Sequence, residues 1–191
     1  MVGPEAEDAT ENDGPAHNLS PMPDRLNSFA PVSRPDARML VLGSMPGVAS
    51  LTAGQYYAQP QNLFWQIVEQ LYGIDRRAPY AERLEALIAH RVALWDVLAS
   101  CQRPGSLDSN IRRSSALPND FMRFFSRHLQ ITQVFFNGKT AAELYRRLVL
   151  PTLALRFPDL RYATLPSTSP ANAGTTPADK LAAWRAIGYH A

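Results

Sequence analysis

The sequence predicts an α/β fold, a three-layer α/β/α sandwich around a central four-stranded, mostly parallel sheet. Three observations predict it: four short apolar runs, helical periodicity in the segments between them, and Gly-, Pro- or Ser-rich turns where the runs end. Strands that alternate with helices build parallel sheets covered on both faces and joined by right-handed crossovers. The chain has 191 residues, 46% of them apolar, which suits one domain with a sizeable core. No internal repeat is visible.

Residues 1–27 are polar, acidic and Pro-rich, with too little apolar surface to repay the entropy of ordering, and are read as a disordered tail ahead of one domain at 28–191. Met39-Leu40-Val41-Leu42 is the first strand, stopped by the turn-prone Gly43-Ser44-Met45-Pro46-Gly47. A polar loop leads to residues 61–72, where Phe64, Ile67, Val68 and Leu71 recur at helical spacing from a start near Asn62. Residues 79–90 repeat the pattern through Leu84, Leu87 and Ile88. Val92 to Trp95 is the second strand, followed by a loop through Arg103-Pro104-Gly105 and a helix from about Asn119 to His128. Gln133 to Phe136 is the third strand, closed by Asn137-Gly138, with a helix from Lys139 to Leu150. Arg161 to Leu165 is the fourth, running into Pro166-Ser167-Thr168-Ser169-Pro170, and a last helix spans Pro177 to Ile187 with proline at its start.

Parallel sheets of this kind bind ligands at the carboxyl ends of their strands, and every unusual segment of the chain falls at that rim. Charge adds a direction. The net +2 conceals an acidic start, because residues 1–24 hold six acids and no Lys or Arg, leaving 19 cations against 11 acids in the remainder, a net of +8. Seventeen of those cations are Arg, whose planar fork suits phosphate, although a coding bias toward Arg would leave the same composition. The single cysteine, Cys101, excludes an internal disulfide, a four-cysteine zinc site and a cysteine-ligated cluster, and is expected to pack rather than react. The four histidines show no metal-ligand spacing. With no long apolar run and no leader-like N-terminus, the chain reads as soluble and cytoplasmic, without membrane contact.

Gly43 to Gly47 could make a backbone anion cradle but lacks a Walker lysine, and a plain strand-to-loop turn fits equally. The segment after it, SLTAGQYYAQPQNLFW, sets two adjacent tyrosines in a polar loop before an Asn at a helix start. Such paired aromatics suit base stacking, worth about 1–3 kcal/mol per base. GSMPG with this segment, and LPSTSPAN after the fourth strand, resemble the uracil-DNA glycosylase superfamily, and within it the hypoxanthine-DNA (deoxyinosine) glycosylase family. The resemblance covers about residues 38–189. It implies an α/β/α fold and a monofunctional DNA glycosylase for deaminated bases, chiefly hypoxanthine, that works on DNA as a monomer with neither cofactor nor metal. A uracil-DNA glycosylase with a divergent first motif, or a DNA-binding module that has lost catalysis on the same fold, are the alternatives.

The chemistry asks a pocket to stack on a flipped base, read its edge, place a water and stabilise an oxocarbenium-like sugar. The resemblance puts Tyr57 in the stacking role and Tyr56 beside it. Ser44 and Met45 stand where most of the superfamily carries an acid or Asn that positions water, making Ser44 a catalytic candidate and Met45 a base contact. Asn62 is the best replacement water-holder, with an ordinary helix N-cap as the competing reading. Asp96 ends the second strand where uracil-specific relatives read the base with Asn; it would accept the N1–H of hypoxanthine, or merely form a turn. Leu165 replaces a His common in relatives, which fits weak or absent uracil activity. Ser167, Thr168, Ser169 and Asn172 are expected at DNA, with Arg103, Arg112, Arg113 and Lys139 as candidate phosphate contacts, each also explicable as an ordinary turn or surface residue.

Overall fold

The structure, a computed structural model, describes residues 25–190. Its elements in chain order begin with β1 (Arg25–Asn27), β2 (Met39–Gly43), α1 (Val48–Ala53), α2 (Phe64–Tyr72) and α3 (Tyr80–Ala89). Then come β3 (Val92–Asp96), β4 (Leu98–Gln102), β5 (Leu117–Pro118), α4 (Phe121–Arg127) and β6 (Gln133–Asn137). The chain ends with α5 (Lys139–Leu148), α6 (Leu150–Leu153), β7 (Arg161–Leu165), α7 (Pro177–Trp184) and a 3-10 segment, Arg185–His190.

The central sheet has the order β3-β2-β6-β7 and every pairing in it is parallel. Side chains alternate across it. Leu40, Leu42, Ala93, Trp95, Val134 and Phe136 point into a core shared with α4, α5 and α6, while Met39, Val41, Val92, Leu94 and Phe135 meet α2, α3 and Trp184 of α7 on the other face. The predicted three-layer sandwich is the observed one, and all four predicted strands are in it. β2 and β3 are buried at every position, which is why they read as continuous apolar runs.

Three features differ from the sequence reading. The first is a small antiparallel sheet, β1-β4-β5, beside the main one. Its first strand begins inside the segment assigned to the tail: Arg25–Asn27 pairs with β4, and Arg25 donates from Nε to Ser100 Oγ at 2.9 Å. The expected boundary at residue 27 is therefore too late, and residues 1–24, the remainder of that segment, lie outside the described residues. The second is α1, a six-residue helix within the predicted loop. The third is β4 itself, which leaves β3 after only Val97 and switches sheets.

The order of the main sheet reverses between β2 and β6, since the chain moves from β2 outward to β3 and returns to the far side of β2. A reversal of this type leaves a crevice outside the strand ends where helices diverge. Among the described residues no helix is long and apolar enough to cross a membrane.

Candidate active site

The crevice is a cleft of about 980 Å³ at the carboxyl ends of β2, β3, β6 and β7. Its walls are the Gly43–Gly47 turn, the loop carrying Tyr57 and Asn62, Asp96, residues 106–109, the Asn137–Thr140 segment and the 164–172 loop. Ser44, Met45, Tyr56, Tyr57, Asn62, Asp96, Lys139, Ser167, Thr168, Ser169 and Asn172 all line it. Arg103, Arg112 and Arg113 do not.

The first motif is held by backbone bonds that continue the β2–β3 ladder past its end. Val97 N–H donates to Gly43 C=O at 2.8 Å and Leu98 N–H to Ser44 C=O at 3.1 Å. Arg103 completes the brace. It is 3% exposed and donates to the carbonyls of Gly105, Met45 and Pro46, so its charge is spent inside the protein on backbone oxygens. This corrects its expected role at DNA phosphate: a guanidinium with three carbonyl partners and no solvent exposure cannot reach a phosphate. Arg112 and Arg113 are exposed, but outside the cleft.

Tyr57 has a left-handed backbone, φ 56°, which a bulky side chain adopts at a cost of about 1–2 kcal/mol. The conformation lays one face of its ring on Phe64, centroids 4.1 Å apart at 25°, and its side chain lines the cleft. Tyr56 lies deeper, with its hydroxyl hydrogen-bonded to the Asp96 carboxyl. It is 3% exposed, packs edge-on to Phe29, and its carbonyl accepts from Trp65 Nε1 at 2.9 Å, so it is a core residue behind the site rather than a base contact. Met45 is likewise buried in the core under α4 and α5, which leaves its side chain supporting the wall.

Asp96 is 2% exposed, and its Oδ2 is buried with no hydrogen-bond partner among the described residues. Asn119 fixes the backbone by donating to the Asp96 carbonyl at 2.8 Å. Burial pushes the carboxyl up to about 8, and the negative charge of Asp108 adds to the rise, with the Tyr56 hydroxyl and Arg103 opposing it. At neutral pH the group is therefore mainly the neutral acid, one donor and one acceptor, and not the acceptor-only carboxylate expected from the sequence.

Only glycine fits opposite. A Cβ on Gly43 would stand 2.5 Å from Asp96 Oδ1 and 3.3 Å from the Tyr57 hydroxyl. We expect Gly43→Ala to displace the acid and slow turnover by about 10²-fold, since a shift near 1 Å at a reacting centre has that effect. Single-turnover kinetics alongside thermal unfolding check it; turnover equal to wild type would show that the acid is not needed where it stands.

Asn62 is half-buried and its Oδ1 accepts the Phe64 N–H at 3.0 Å, an Asx turn one residue ahead of Leu63, which is the helix N-cap. A carbonyl oxygen has a second lone pair, and the bond to Phe64 fixes the amide at the cleft wall rather than withdrawing it. The next residue ties the two motifs together, Leu63 N–H donating to Thr168 C=O at 3.0 Å.

The 164–172 loop is braced from three sides. Asn137 exchanges two bonds with Thr168, Nδ2 to Oγ1 at 2.9 Å and Oδ1 from the backbone N–H at 2.8 Å. Trp184 Nε1 donates to Pro166 C=O and buried Lys180 donates to Ser169 C=O. Thr168 is 0% exposed, which corrects its expected contact with DNA: the hydroxyl is occupied by Asn137. Ser167 and Ser169 are different. Each hydroxyl oxygen accepts a backbone N–H from its own loop, leaving the O–H free to donate to an anion. Asn172 donates to the Ser167 carbonyl at 3.1 Å, and Lys139 is exposed and lines the cleft just after Gly138. Gly138, at φ 102°, lets β6 end against Ser167, whose Cβ would be 2.9 Å from a Cβ there.

A parallel α/β sheet with a braced cleft at its switch point, lined by Tyr57, defines a ligand-binding α/β class of protein. The comparisons say which. A sequence profile described as "Uracil DNA glycosylase superfamily" matches residues 30–188. A "Hypoxanthine DNA glycosylase" of Methanosarcina acetivorans is 32% identical over 163 residues, 85% of this chain and 97% of the relative. One of Methanosarcina barkeri with the same description is 34% identical over 120 residues, 62% of this chain and 75% of the relative. The solution NMR structure of a Methanosarcina acetivorans protein, provisionally described as a uracil DNA glycosylase, superposes with a TM-score of 0.73 at 30% identity, over 87% of this chain and 98% of that one. The chain belongs to the uracil DNA glycosylase superfamily.

Proposed function

We propose that this protein is a monofunctional DNA glycosylase that hydrolyses the N-glycosidic bond of hypoxanthine in DNA, acting as a monomer without a cofactor. Its similarity to two proteins described as hypoxanthine DNA glycosylases supports the substrate. The observation that carries it is Asp96, a neutral acid that lines the cleft together with Tyr57. Its carbonyl oxygen accepts the N1–H of hypoxanthine while its hydroxyl donates to O6, so both edge atoms are matched by one side chain. The base stacks on Tyr57, whose other face is already supported by Phe64.

Ser167 and Ser169 hold the phosphates flanking the extruded nucleotide, with Lys139 lining the same cleft. Asn62 orients the water on the sugar. An amide is a poor base, so its contribution is placement of the nucleophile, and the rest comes from electrostatic stabilisation of the oxocarbenium and the departing base. Uracil presents the same donor beside an acceptor, so a neutral Asp96 does not reject it on hydrogen bonding. Opening cost favours bases in weak or mismatched pairs, which also spares adenine in a normal pair.

The test uses duplexes carrying one deoxyinosine, one deoxyuridine or only normal bases, followed by alkaline cleavage of abasic sites. Cutting at deoxyinosine well above deoxyuridine is the expected result. Preferential cutting at deoxyuridine, or binding without cutting, would replace the proposal with one of the two alternatives.

A further inference from the structure

GSMPG contains no acid, yet the Ser44 hydroxyl donates to a carboxylate, Asp108 Oδ2, at 2.7 Å across 64 residues of sequence. We propose that Asp108 is the acceptor to which Ser44 passes the proton of the attacking water. The inference rests on the glycosylase reading above and adds a positioning residue to it.

The geometry is that of a relay. Ser44 has one proton and commits it to Asp108, so the lone pairs of its oxygen are the part left for the cleft that it lines. Asp108 lines the same cleft with its side chain 37% exposed, and its other oxygen lies 3.8 Å from Nη1 of buried Arg103. The loop that carries it is sewn to the first motif. Ser106 Oγ accepts the Val48 N–H at 2.9 Å, Asn110 donates to the Pro104 carbonyl at 3.2 Å, and Arg103 joins Gly105 to Met45 and Pro46. Asp108 is thus presented on a fixed support, a requirement for any group that must meet a water at the right angle.

In the step, the water oxygen bonds to C1′ as the C1′–N9 bond breaks, and that bond's electron pair leaves with the base. The water's proton moves to Ser44 Oγ while the Ser44 proton moves to Asp108 Oδ2. Asp108 then releases it to solvent, from which the base anion is protonated. Before the step Asp108 must be ionised, and its negative charge also favours the cationic sugar. The groups facing it are Ser44, Arg103, Asp96 at the end of β3, Tyr57 and Cys101 of β4. Burial raises the Asp108 carboxyl above its ordinary range, against the pull of Ser44 and Arg103, so an acid limb that it causes lies above that of an ordinary carboxylate.

The test is single-turnover excision from a deoxyinosine duplex across pH for wild type, Asp108→Asn, Ser44→Ala and the double variant. Asn keeps an acceptor for Ser44 but cannot take a proton. Each single variant is expected to lose about 10²-fold, the double variant no more than either, and Asp108→Asn to lose the acid limb. Binding to a duplex with non-cleaved 2′-fluoro-deoxyinosine, and thermal unfolding, should be unchanged within about twofold. Wild-type-like turnover of Asp108→Asn with its acid limb intact, or losses that multiply in the double variant, would overturn the relay. If Asp108→Asn unfolds, Ser44→Ala decides alone, by keeping or losing the wild-type limb. Failure of the glycosylase reading is a separate outcome, in which wild type itself leaves deoxyinosine uncut.

Discussion

Asn62→Ala is expected to slow single-turnover excision of hypoxanthine by about 10²–10³-fold while binding to the same duplex changes less than about threefold. The asymmetry follows from the assignment: the amide holds a water that matters in the transition state and touches nothing that distinguishes bound from free DNA. The structure complicates the experiment in a known way. Oδ1 also accepts the Phe64 N–H, so truncation removes a helix-end bond worth about 1 kcal/mol. Asn62→Ser separates the two effects, because a hydroxyl restores the bond to the Phe64 N–H and cannot reach as far into the cleft. Thermal stability should return to wild type in Asn62→Ser with turnover still depressed. Recovery of both together would reduce Asn62 to a turn residue that supports the start of the helix.

Much of this architecture is legible in the residues, and the exceptions have physical reasons. Strands β2 and β3 announce themselves because both faces are covered and every position is buried, leaving an apolar run with no alternative fate. β4 hides because its buried positions include Ser100, satisfied by Arg25 from a strand 75 residues away. The sequence carries no local mark of that bond. Arg103 is misread for a related reason: an arginine folded onto three backbone carbonyls looks, in sequence, like any arginine beside a Gly-Pro turn. Thr168 sits in a Ser/Thr-rich turn whose other hydroxyls face the cleft, and only the Asn137 amide, on the neighbouring strand end, removes it from DNA. Within the site, Tyr57 and Asn62 belong to one contiguous motif and were findable together. Asp108 was not, since its link to Ser44 exists only after the 103–110 loop folds back over the first motif.

The second large effect concerns Asp96. Asp96→Ala removes both edge contacts and should lower hypoxanthine excision by about 10²–10³-fold, the range expected when a site built to hydrogen-bond a substrate loses its partners. Asp96→Asn should be mild, because an amide copies the neutral acid's donor and acceptor. The pH dependence carries the sign. With the carboxyl raised to about 8, the donor is present below that value and lost above it, so wild-type excision should decline as pH rises through about 8. Asp96→Asn should lack that decline. Stability moves the same way: from the ordinary carboxylate range up to about 8 the folded protein keeps a proton that the unfolded chain has released, so wild type loses stability as pH rises through this window. The Asp96 contribution to the slope is at most ~1.4 kcal/mol per pH unit and should be absent in Asp96→Asn, leaving that of the Asp108 carboxyl, which burial also raises. Excision that instead climbs toward pH 8, with Asp96→Asn inactive, would mean that the ionised carboxylate is the working form.

The most direct measurement is the structure of the protein bound to a duplex containing 2′-fluoro-deoxyinosine. The expected complex has the extruded purine lying on the Tyr57 ring, its N1–H and O6 on the Asp96 carboxyl, and a water between Asn62 and C1′. A purine still stacked in the duplex, or seated with its N1–O6 edge turned away from Asp96, would contradict the proposed mechanism at its centre.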